Sequence, residues 1–151
     1  MAVTANLYER DIVAWAKQQA HALRAGLFDQ LDIEHLADEI DDVGKSEQRE
    51  LIHRLAILIG HLLKWSYQPT RRGASWESTI RTQRAAIARR LQRTPSLKHT
   101  LADPDWLADA WSDGRDLAVR ETALPDLPEN CPWSVEKILA ADWLPDHDND
   151  F

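Results

Sequence analysis

Polar residues set into apolar helical faces are where this chain could do chemistry, because burying an unpaired polar group costs several kcal/mol and so demands a partner. Gln19 lies in the middle of the stripe Tyr8, Ile12, Trp15, Leu23. Gln83 and Arg84 flank the line Trp76, Ile80, Ile87, Leu91, and Glu121 falls inside the arc Trp106, Leu107, Ala110, Trp111, Gly114, Leu117, Ala118. Glu39 and His61 stand at the edges of their own faces. Two readings follow. In the first, which base rates for buried polar groups favour, Arg84 pairs with Glu121 or Glu39 while Gln19, Gln83 and His61 satisfy backbone groups or water. In the second, Gln19, Glu39, His61, Gln83, Arg84 and Glu121 converge on a pocket between helices that holds a small ligand or supports catalysis.

Metal chemistry has one sequence hint. Glu50-x-x-His53 sets a carboxylate and an imidazole one helical turn apart, the spacing used by carboxylate-bridged di-iron bundles, with Asp32-x-x-His35 as a loose second pair. Such ligands must point inward, whereas Glu50 and His53 lie roughly opposite the Leu51, Leu55, Leu58, Leu62 line, so a solvated face is expected, with no metal and no cofactor. His61 with Glu39 or Glu121 is the alternative metal set. Nucleophilic catalysis finds little support. Cys131 sits between Asn130 and Pro132 with no histidine near it in sequence, and there is neither a glycine-flanked serine elbow nor a phosphate-cradling glycine loop.

Charge is segregated along the chain. Lys64 to Arg93 carries Lys64, Arg71, Arg72, Arg81, Arg84, Arg89, Arg90 and Arg93 against Glu77, although the net charge is -7. Acids dominate Asp29 to Glu50 and Asp103 to Phe151. A nucleic-acid helix should align its basic residues on one stripe, yet with Trp76 at zero and roughly 100° per residue these arginines scatter around the helix. The acid-rich segments are the expected counter-charge, which argues against nucleic acid. Arg71 and Arg72, in the loop before Ser75, are the remaining candidates for an outward anion contact.

The elements that would position these groups are helical almost throughout. The expected helices are Tyr8 to Ala25, a short one capped by Asp32 and stopped by Gly44, and a long apolar one from Ser46 to about Tyr67. A fourth, capped by Ser75, ends before Pro95, and a fifth runs from Asp103-Pro104 to about Thr122. The second should turn Ile33, Leu36, Ala37, Ile40 and Val43 inward, and the third should be the hub of the core. Pro125, Pro128 and Pro132 impose an extended connection before a short helix opened by Ser134, and residues 146–151 read as a flexible acidic tail. The expectation is an all-α, single-domain helical bundle of about five main helices over 1–151, with a short C-terminal helix and an irregular tail.

Composition bounds the class. With 151 residues and 44% hydrophobic content, one ordinary core is expected. The single Cys131 excludes an internal disulfide. Met1 to Ala25 interleaves charges with its apolar residues, unlike a signal peptide, and no run approaches the roughly 20 apolar residues of a membrane span, so a soluble cytoplasmic protein is expected. The tryptophans Trp15, Trp65, Trp76, Trp106, Trp111, Trp133 and Trp143 read mainly as core, with Trp133 and Trp143 the best candidates for docking onto the body or onto a partner.

Several blocks carry a family resemblance: Trp15 with Gln19, Leu23-Arg24, Leu36-Ala37-Asp38-Glu39-Ile40 followed by Gly44, His61 through Pro69, Ser75-Trp76, Gln83-Arg84, Cys131-Pro132-Trp133 and Trp143-Leu144-Pro145. The chain resembles, over about Tyr8 to Pro145, the bacterial helical family catalogued as domain of unknown function twenty-nine. Asp38 departs from a pattern that favours glutamate there. The resemblance implies a compact helical domain and assigns no activity. With no catalytic constellation and abundant tryptophan, the leading expectation is a non-enzymatic protein-interaction or regulatory module that binds an unidentified protein partner or itself. The rival is a ligand- or metal-binding bundle using the six inward polar residues.

Overall fold

Asp11 interrupts the first helical stretch: residues 7–10 are helical, and Asp11, extended at φ -154°, then caps a new helix by accepting from the Ala14 amide. The computed structural model describes residues 7–123 and 126–146, so Pro125 and the acidic tail beyond Asp146 lie outside the described residues. Helix α1, Ile12–Ala25, closes on Gly26 in the left-handed region at φ 72°, whose amide reaches the Ala22 and Leu23 carbonyls. After a 3-10 turn at Phe28–Gln30 come α2 (Ile33–Tyr67), α3 (Ala74–Arg93), α4 (Leu97–Ala102), α5 (Pro104–Thr122) and α6 (Val135–Leu139). No strand occurs among the described residues, and the fold is all-α.

The expected second and third helices are one. Gly44 does not stop α2; it sits helical and exposed at mid-span, where glycine costs only about 1 kcal/mol relative to alanine and the intrahelical hydrogen bonds continue. Nor does Ser75 cap α3, which starts a residue earlier after an extended Gly73 without a side-chain cap. The caps at Asp103 and Ser134 are as expected, accepting from the Asp105 and Lys137 amides. Helix α4 was not foreseen from sequence, being a six-residue piece between Pro95 and Pro104.

The chain divides into two compact units, Met1–Glu47 and Gln48–Phe151. In the first, Trp15, Gln19 and Ala22 of α1 are buried. The apolar stripe expected to face inward on the first half of α2 does not: Ile33 is 70% exposed, Ile40 70% and Val43 67%, and Ile12 and Leu23 of α1 are also exposed.

The second unit holds the core. Leu51, Leu55, Leu58, Leu62 and Leu63 of α2 are wholly buried against Ile80 and Ile87 of α3, Leu97 of α4, Ala110 and Trp111 of α5, and the C-terminal Trp133 and Ile138. Helices α2 and α5 touch backbone to backbone, because a Cβ on Gly114 would lie 2.8 Å from the Ala56 carbonyl oxygen and one on Gly60 would meet Leu117 at 2.6 Å. Trp133 docks on its own body, edge to face with Trp111 at 6.3 Å and with Trp143 at 5.6 Å. No described helix is long and apolar enough to cross a membrane.

Candidate functional site

In the first unit, Asp32 gathers donors at the start of α2. Its Oδ2 accepts from Trp15 Nε1 at 3.1 Å and from His35 Nδ1 at 2.7 Å, while Oδ1 accepts from the His35 amide at 3.4 Å. Gln19, 1% exposed, accepts from the Asp32 amide at 2.7 Å through its side-chain oxygen. Tyr8 stacks on His35 with 3.9 Å between ring centroids and donates to Glu39 at 2.6 Å. Burial alone would raise the Asp32 carboxyl, but the His35 and Trp15 hydrogen bonds outweigh it and leave it below its ordinary value. His35 is raised, chiefly by that same bond. The Tyr8 phenol is pushed up to about 12 by its bond to Glu39, by burial and by the neighbouring acids. These groups hold α1 against the side of α2 that carries His35 and Glu39.

That choice of side explains the outward stripe. With Ile33 at zero and roughly 100° per residue, Leu36, Ile40 and Val43 fall near -60°, -20° and -80°, whereas His35 and Glu39 fall near 200° and 240°. With Tyr8 on the polar side of this stretch, Ile33, Ile40 and Val43 on the other side are exposed and Leu36 is half-buried.

The second unit places a buried lysine one turn beyond the Gly60 crossing. Lys64 is 4% exposed, and its ammonium donates to Glu121, lies 3.4 Å from His61 Nε2 and sits 5.1 Å over the Trp76 ring. His61 Nδ1 lies 2.9 Å from the Ile57 carbonyl, so that nitrogen carries the proton and Nε2 faces Lys64 as an acceptor. Burial, aided by Lys64, holds the imidazole below its usual value although the Ile57 bond opposes this. The Lys64 hydrogen bond lowers Glu121.

The six sequence candidates thus join different groups. Gln19 and Glu39 belong to the first unit, with Asp32 and Tyr8 as their partners. His61 and Glu121 meet through Lys64. Gln83 accepts from Arg54 at 3.4 Å, and Arg84 donates from Nε to the Ile138 carbonyl at 2.8 Å. The expected pairing of Arg84 with Glu121 or Glu39 is corrected: Lys64 takes Glu121, and Tyr8 takes Glu39. Glu121 itself is half-exposed. Lys64 was missed because it heads a basic run, although it also lies one turn after Gly60 on a leucine-rich helix.

Among the basic residues, Arg71 is exposed and bonds Gln68, but Arg72 turns back, donating to the Trp65 carbonyl at 2.6 Å and covering the Trp65 ring. Arg90 reaches Glu50 at 3.5 Å, and Arg54 reaches the same oxygen at 3.1 Å. Glu50 therefore serves arginines rather than His53, which lines an open groove of about 510 Å³ with Asp113, Asp116 and Arg120. No group of three or more His, Cys, Asp or Glu among the described residues could hold a metal ion.

Comparison with curated proteins and with solved structures finds no match. A sequence profile matches residues 7–144, nearly the whole described chain, including both hydrogen-bonded clusters. The chain belongs to the family described as Domain of unknown function DUF29.

Proposed function

We propose that this protein is an interaction module that receives a basic amphipathic helix of another protein on the outward apolar side of α2. The observation carrying this reading is the exposure of Ile33, Ile40 and Val43 at 70%, 70% and 67%. With Leu36 they recur at three- and four-residue steps, the spacing of a coiled-coil seam, and Ala37 and Gly44 beside them leave room for close approach. Among the described residues of its own unit, Ile33, Ile40 and Val43 stay exposed and Leu36 is half-buried.

The rim selects the occupant. On the same wheel, at roughly 100° per residue, Asp41 and Glu34 fall near 80° and 100° and border the stripe on one edge, with Asp38 and Asp42 further round, and no lysine or arginine occurs from Ile33 to Gly44. A second copy would bring one acidic rim against another, whereas lysines or arginines flanking a partner's apolar seam complement it. The test is fluorescence anisotropy with two synthetic helix-forming peptides sharing one apolar seam, one flanked by lysine and the other by glutamate. The lysine peptide should bind at least about tenfold more tightly, with affinity falling as salt rises. Equal binding of both, or of neither, contradicts the reading.

A further inference from the structure

The cavity beside Arg84 combines features that the helix-binding surface does not use. Arg84 is only 7% exposed, its Nε is committed to the Ile138 carbonyl, and its Nη2 is buried without a hydrogen-bond partner. Burial works against its charge, and Asp142 is the carboxylate that opposes this effect. A guanidinium in such a place has donor capacity to spare, in a geometry suited to a carboxylate.

The cavity it lines measures about 210 Å³, room for a molecule of a few heavy atoms. Arg81 lies on the same wall, one turn before Arg84 on α3. Glu77 and Asp142 add two carboxylates, so the lining carries two cations and two anions. A simple anion such as phosphate gains nothing from a lining of zero net charge and meets two carboxylates. A simple amine meets two guanidinium groups. A zwitterion answers both signs, and Ile80 and Leu144 supply an apolar wall for a short side chain.

We infer that this cavity binds a small aliphatic α-amino acid, its carboxylate held by Arg84 and Arg81, its ammonium between Glu77 and Asp142, and its side chain against Ile80 and Leu144. The site joins α3 to the segment after α6 through residues from both. It stands independently of the proposed helix surface, none of whose residues it shares.

Isothermal titration of the full chain with L-valine tests it, with isovalerate lacking the ammonium, isobutylamine lacking the carboxylate, and inorganic phosphate as comparisons. L-valine should give saturable heat, and each comparison compound should bind at least about tenfold more weakly. Arg84→Lys probes the buried group and could unfold the chain, so the deciding variants are the exposed Arg81→Gln and Glu77→Gln. Each should weaken L-valine binding at least about fivefold while the melting temperature stays within about 2 °C of the parent's. No saturable heat with glycine, L-alanine, L-valine or L-leucine overturns the inference. Isovalerate or phosphate binding as well as L-valine also overturns it, as does unchanged affinity in both exposed variants.

Discussion

His61 Nε2 lies 3.4 Å from Lys64 Nζ, and because Nδ1 of the same ring faces the Ile57 carbonyl, the imidazole meets the buried lysine as a neutral acceptor. Glu121 completes the arrangement on the other side. Glu121→Ala should destabilise the protein by about 1–2 kcal/mol, the loss of a buried lysine's partner discounted because the carboxylate is half-exposed. Lys64→Met should remove the need for that partner, so adding Glu121→Ala to it should cost nearly nothing more. Urea unfolding of the four proteins measures this cycle, and purely additive losses would contradict the pairing.

The two histidines of the clusters should titrate on opposite sides of the ordinary imidazole value of 6.5. For His35 the folded value is raised, so its stabilising contribution is complete below 6.5 and is lost as pH rises through the folded value. For His61 the folded value is lowered, so its contribution is complete above 6.5 and is lost as pH falls from there toward the folded value. Carbon–proton NMR titration should place His35 above His61, and Asp32→Asn should bring His35 down while leaving His61 unmoved. A reversed order would contradict both clusters.

Glycine substitutions separate a crossing from a span. Gly114→Ala should cost about 1–3 kcal/mol, because its Cβ meets the Ala56 carbonyl and Ile59, which cannot move aside. Gly60→Ala should cost less, since its nearest obstacle is the end of the Leu117 side chain. Gly44→Ala meets nothing within 4 Å and should stabilise α2 by about 0.5–1 kcal/mol. Thermal unfolding orders the three, and a destabilising Gly44→Ala would mean that α2 breaks there after all.

What the sequence made legible follows where hydrophobic period and burial coincide. The Leu51 to Leu63 set, the Asp103 and Ser134 caps and the buried Gln19 could be read because each obeys a local rule. Gly44 misled because a stop signal is statistical, and flanking residues that continue the helix override it. Ile33, Ile40 and Val43 misled because an apolar stripe marks a surface that wants cover without naming which molecule covers it. The partners of Arg84 and Lys64 were illegible because which acid meets which base depends on helix crossings, here set by Gly60 and Gly114, that no short spacing encodes.

The central claim is that the outward side of α2 is a receptor for a basic helix, and one comparison reaches it directly. Ile40→Ser with Val43→Ser removes apolar surface from positions that are 70% and 67% exposed, so the melting temperature should hold within about 2 °C. Anisotropy with the lysine-flanked peptide should then register at least about a tenfold loss of affinity in the double variant relative to the parent. Undiminished binding by a folded double variant would contradict the account.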